Sequence, residues 1–169
     1  NRIGVAGVAP EAKIMAIKGL NDQGSGLSTW LAEAIRYATD NGADVINNSW
    51  GCYSCPSVPV YEDVVRYAHG LGVVIVFAAG NDNDDVIVSS PQNKPQTIVV
   101  SAFDHNDQKA NFSSYGWKVD VAAPGGDSAF QSNNAQYRNI LSLRAGNTDL
   151  YGDVLSIVPQ PDVGYYRAR

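Results

Sequence analysis

An α/β fold, a mostly parallel sheet with helices on both faces, is what this sequence predicts, and three observations carry the prediction. Its short apolar stretches are apolar almost throughout instead of at alternate positions, as strands covered on both faces are. Amphipathic stretches of helical periodicity separate them, the pattern of crossover connections between parallel strands. The chain has 169 residues, 44% apolar and 17% charged, so it can bury a real core and is too apolar to remain unfolded.

The elements follow in order. Residues 13–18, KIMAIK, read as a first short strand, and the Gly-rich DQGSG after them as its loop. Residues 27–41 place Leu27, Trp30, Leu31, Ala34, Ile35 and Ala38 on one helical face, and Gly42 suits the left-handed residue that ends a helix. DVINNS, 44–49, is the next strand. A second helix fits 60–70, with Pro59 in its first turn, Glu62 and Asp63 near its positive end and His69 near its negative one. Residues 73–78 and 97–102 form two further strands.

Beyond Gly116 the pieces shorten to VDVAAP, ILSL from Ile140, VLSIV from Val154 and YYRAR at the end. The stretches 125–136 and 144–153 read as irregular loops. There is no internal repeat or low-complexity linker, so residues 1–169 read as one structural unit.

Several function classes are disfavoured. A net charge of −5 gives no electrostatic grip on nucleic acid or anionic lipid. The longest apolar run, 71–80, is roughly half of what a membrane-spanning helix requires. The opening NRIGVAGVAP has neither an initiator Met nor a leader, and it reads as the interior of something longer.

Cys52 and Cys55 form one C-x-x-C in WGCYSC. Redox pairs of that spacing sit where a strand feeds directly into a helix, whereas Pro56, Ser57 and Pro59 follow here. Zinc would need two more soft or imidazole ligands, with only His69 and His105 elsewhere in the chain. A surface loop, clipped by a local disulfide if the protein is exported, is the favoured reading.

In an open parallel sheet, ligands bind beyond the carboxyl ends of the strands. That rule selects DQGSG, NSWG and AAGND. Small residues there leave backbone bare, so Gly24, Ser25 and Gly26 on one side and Ser49, Trp50 and Gly51 on the other suit an extended peptide lying between them. The Asn81 amide is placed to donate to a developing oxyanion, although Asn after Gly is also an ordinary turn residue.

Taken together, the stretch GVAGVAPEAKIMAIKGLNDQGSGLSTWLAEAIRYATDNGADVINNSWG, then GVVIVFAAGND and ANFSSYGWKVDVAAPGG, resembles the central segment of a subtilisin-like serine protease. The resemblance covers roughly residues 1–126, with its motifs in order and at the right intervals, and YYRAR fits the strand leading to the nucleophile. It implies a subtilisin-like three-layer fold and residues 1–169 as a partial peptidase catalytic domain. Asn81 matches the oxyanion-hole asparagine. Gly24 to Gly26 and Ser49 to Gly51 match the two substrate-binding backbone segments. Ala78, Ala79 and Gly80 match the wall of the pocket for the side chain before the scissile bond. Asn1, Ile3 and Val5 match a loop that supplies structural calcium ligands, and Asp120 a second, weaker cation site. No cofactor is implied for catalysis. Extended polypeptide substrates and a propeptide are the implied partners, with no nucleic acid and no membrane, in a secreted or extracellular setting.

The departures matter equally. Neither the family's His-Gly-Thr-His pattern nor its Gly-Thr-Ser-Met-Ala pattern occurs, and His69, His105, Ser113 and Ser114 do not fall at triad positions. The expectation is therefore a fragment, inactive alone, of an active endopeptidase. The alternatives are a catalytically inactive relative that binds peptides and an unrelated redox or nucleotide module, the latter lacking G-x-G-x-x-G. Trp50 replaces a smaller aliphatic residue and is expected to narrow or reshape the cleft.

Overall fold

A computed structural model describes residues 7–126, 140–143 and 165–168. They fall in two compact units, residues 13–101 with 113–122, and the described residues of 7–12, 102–112 and 123–168.

The first unit holds most of the expected elements. Helix α1 is Ser28–Asp40, strand β1 Val45–Asn48, helix α2 Pro59–Gly70 and strand β2 Val74–Ala78. A 3₁₀ turn at Val86–Val88, capped by the Asp85 side chain on the Ile87 amide, precedes strand β3, Thr97–Phe103, and strand β4 is Val121–Pro124. Both helices end as their sequences dictate. Gly42 has φ 83° and Gly72 φ 87°, left-handed values that a side chain disfavours. Pro59 opens α2, where its missing N–H costs nothing.

The sheet has the order β1-β2-β3-β4. Val45 pairs with Val74 and Ile75 with Thr97, both parallel. Asp120 N donates to Val99 O and Gly125 N to Phe103 O, so β4 also advances with β3.

One face of this sheet is the core. Ile75 and Phe77 pack with Ala32 and Ile35 of α1 and with Val64, Val65 and Ala68 of α2, all buried. The opposite face carries Val45, Val74 and Ile98, which are 58%, 42% and 38% exposed. The helices cover Ile75 and Phe77, and a second buried cluster packs Val99 of β3 and Ala79 with Val86 and Val119.

One expectation changes. Residues 13–18 form no strand, and Ile14, at 92% exposed, touches no core. Their β-like composition is a propensity, and a strand exists only where a neighbour accepts its ladder bonds. The Trp50 side chain packs toward the helices. Its ring lies 5.1 Å from both Tyr61 of α2 and Phe77 of β2, on the helix side of the sheet.

In the second unit, Phe103 bridges Lys109 around a turn closed by Asp104, whose carboxylate accepts the Asn106 and Gln108 amides. Those amides, with smaller help from the Asn106 side chain and His105, hold the Asp104 carboxyl below its ordinary value. Strands β5, Ile140–Leu143, and β6, Tyr165–Ala168, pair antiparallel where the sequence predicts short strands. The stretch from Val154 read as a strand, and the loop residues 127–136 and 144–153, lie outside the described residues.

Candidate active site

The sheet positions the candidate residues. Because β1 and β2 are parallel neighbours, Ser49 to Gly51 and Ala79 to Asn81 leave adjacent strands at the same edge. Each chain must then turn away, and small residues allow it to do so without covering its own backbone.

The 49–51 segment is held from one side. Cys52 N donates to Ser90 O, Ser90 N donates back to Cys52 O, and the Gln92 amide donates to Trp50 O at 3.1 Å. Alternation in an extended chain turns the Gly51 N–H and C=O the opposite way. Neither has a backbone partner among the described residues. That is the condition for accepting an added strand.

Beside it, Ala78 O accepts from Gln92 Nε2 at 3.3 Å, Ala79 N donates to Val100 O, and Gly80 O accepts from Ser114 N. Gly80 has φ 110°, and a Cβ there would come within 2.7 Å of the Tyr53 ring. Ala79 and Gly80 are buried, whereas Asn81 is exposed and its carboxamide has no hydrogen-bond partner among the described residues.

Asn21 shapes the third segment. Its side chain accepts the Gln23 and Ser25 amides, and its backbone exchanges bonds with Gly24 N and Ser25 O. Ser25 N–H and C=O are thereby both bonded to Asn21, and the Gly26 N–H and C=O have no backbone partner among the described residues of this exposed loop. Gly26 also lies close to the chain, since a Cβ would stand 2.5 Å from Gly19 O. No hydrogen bond links this loop to 49–51 or 78–81 among the described residues.

Cys52 and Cys55 are disulfide-bonded in a turn between β1 and α2. The turn is tied down by Asn93 Nδ2 on Pro56 O and by the Ser57 hydroxyl and Lys94 ammonium on Glu62. The Lys94 bond, then the Ser57 bond, pull the Glu62 carboxyl below its ordinary value. Tyr53, inside the disulfide loop, is pushed up by burial first and then by the charge of Asp82.

The other candidates are placed as follows. Asp120 Oδ2 accepts from Lys118 Nζ and Val99 N, both at 2.8 Å, so its charge is neutralised within the chain. Burial raises its carboxyl, and the Lys118 bond, the Val99 amide and the Lys118 charge together outweigh that and leave it lowered. His69 ends α2, His105 lies in the Asp104 turn, and Ser113 is buried with its hydroxyl on Ser114 O. Asn1, Ile3 and Val5 lie outside the described residues.

Sequence reasoning passes over Gln92 and Tyr53. SSPQNKP reads as a proline-punctuated loop, and a lone Gln in it has no periodicity that would betray burial.

The subtilase family profile matches residues 1–156. The chain belongs to the subtilase family. It is 45% identical over 127 residues to a thermophilic serine proteinase of Bacillus sp. strain AK1, covering 75% of this chain and 31% of that one. It is 42% identical to thermitase of Thermoactinomyces vulgaris, covering 74% and 44%. A solved protease structure from Pseudoalteromonas arctica superposes with a TM-score of 0.72 at 36% identity, covering 82% of this chain and 42% of that one. This subtilase sequence thus spans less than half the length of each of these relatives. Among its described residues no helix is long and apolar enough to cross a membrane.

Proposed function

We propose that the whole protein is a secreted serine endopeptidase and that this segment supplies its peptide-binding backbone and one oxyanion donor. The observation that carries the reading is the exposed Asn81 carboxamide, one residue beyond the buried Ala79-Gly80 pair and at the same sheet edge as the 49–51 segment. Gly24 to Gly26 and Ser49 to Gly51 would flank the substrate as an added strand, with Ala78 to Gly80 facing the side chain before the scissile bond.

An Asp-oriented His would deprotonate a Ser, which attacks the carbonyl to give an acyl-enzyme that water releases. Asn81 would donate to the tetrahedral oxyanion, where the donor is worth more than in the ground state. The His-Gly-Thr-His and Gly-Thr-Ser-Met-Ala patterns are absent from this sequence, so the 169-residue chain by itself is expected to be inactive. The Cys52–Cys55 disulfide supports export, since such bonds persist in oxidising compartments. Asn1, Ile3 and Val5 would offer one side-chain and two carbonyl oxygens, the hard donors calcium takes, and a propeptide would occupy the same strands as substrate.

The deciding experiment expresses the protein with its flanking sequence and assays peptide hydrolysis. Asn81→Ala should lower kcat about a hundredfold or more with KM little changed, the magnitude already known for the equivalent asparagine of subtilisin. Unchanged kcat would remove Asn81 from the mechanism. Extended-peptide affinity without turnover would favour the inactive peptide-binding alternative.

A further inference from the structure

Gln92 is completely buried, a large amide directly under the two segments assigned to substrate. Its Nε2 donates to Trp50 O at 3.1 Å and to Ala78 O at 3.3 Å, so one group holds a carbonyl from each. Its own backbone is fixed: Ser90, two residues earlier, pairs with Cys52 in both directions, and Thr97 Oγ1 donates to Gln92 O at 3.1 Å. The contact with the cleft segment is tight, because a Cβ on Gly51 would stand 2.1 Å from Nε2. The carboxamide therefore fills the place where a side chain at position 51 would be.

We propose that Gln92 is a positioning residue, which holds the 49–51 segment and the 78–80 wall at one separation and so sets how the cleft discriminates the side chain before the scissile bond. The inference rests on the peptidase reading above. The group at this position must be a donor because both partners are carbonyls, which accept only. A carboxylate there would face two acceptors with no proton, and a thioether would fill the volume without holding either strand. Trp50 C=O and Gly51 N–H share one planar peptide unit, so tilting the first also tilts the second, a group that would meet the peptide.

The test uses the full-length protein, with rates normalised to sites titrated by a small fluorophosphonate, so that unfolded molecules do not count. Substrates are peptides differing only in the side chain before the cleaved bond. In Gln92→Met, kcat/KM for the preferred peptide should fall about tenfold, the worth of a lost buried hydrogen bond, and the spread across the series should narrow. The rate of labelling by the fluorophosphonate, which has no peptide portion, should stay within about twofold. In Gln92→Glu, the ratio of variant to wild-type kcat/KM should rise as pH falls, because a protonated carboxyl regains one donor.

Wild-type discrimination in Gln92→Met would overturn the inference, as would equal losses in labelling and peptide cleavage or a pH-independent ratio in Gln92→Glu. Wild-type protein that neither labels nor cleaves would overturn the peptidase reading and this inference with it.

Discussion

Gly80 shows how much one residue without a side chain carries in this subtilase. Its φ of 110° lies where L side chains are strained, and the Tyr53 ring occupies the space a Cβ would take. Gly80→Ala in the full-length protein should therefore lose about 1–3 kcal/mol through backbone strain, with the steric clash adding to it. Denaturant unfolding measures the loss, and adding Tyr53→Ala should recover only the steric part. Full recovery would mean that the backbone conformation costs nothing. Glycine at 80 is legible as a small residue beside Asn81, but its partner is not. Tyr53 lies 27 positions earlier in a loop of no periodic pattern, and only folding brings the two together.

At the scale of elements, the turn between β1 and α2 is pinned by several independent ties. The Cys52–Cys55 disulfide closes it, the Cys52–Ser90 bridge fixes one side, and Asn93 and Lys94 hold Pro56 and Glu62 on the other. Closing so short a loop is worth about 2 kcal/mol on the chain-entropy account. Cys52→Ser with Cys55→Ser should lower stability by about that amount, read from the unfolding midpoint with and without reductant. A double variant as stable as the parent would mean that the noncovalent ties alone hold the turn.

The helices are legible because a 3.6-residue stripe of apolar residues, a Pro at the start of α2 and glycines just past both helix ends are local signals. Residues 13–18 have an equally good local pattern and form no strand. Pairing is a property of two segments, and one segment's composition cannot report it.

For the molecule as a whole, the carboxyls of Glu62, Asp104 and Asp120 all lie below their ordinary values. Each bound proton is therefore disfavoured in the folded state relative to the unfolded chain. Their stabilisation is complete above the ordinary carboxyl range near pH 4 and is lost as pH falls through the lowered values. Tyr53 and Tyr67 are raised, the latter chiefly by donating to Asp40, and their contribution is present below about pH 10 and lost as pH climbs past it. Stability of the full-length protein against urea should form a plateau between these limits. Asp120→Asn should flatten the acid limb by removing the Lys118 pair, and an unaltered limb would exclude that pair as a contributor.

The sequence by itself determined the α/β class, the helices and most of the strands, and the family resemblance, because periodicity, capping residues and short motifs are encoded locally. It also singled out 24–26, 49–51 and 78–81, since bare backbone shows as glycine, alanine and serine after a strand. Only the tertiary structure decided that the Trp50 ring packs against Tyr61 and Phe77, that the Gly51 backbone is left without a backbone partner among the described residues, and that Gln92 bonds both Trp50 O and Ala78 O. Those facts depend on which strand neighbours which and on where a buried amide finds its acceptors. Hydrogen-bond partners 14 and 42 positions away leave no trace in the residues that surround Gln92.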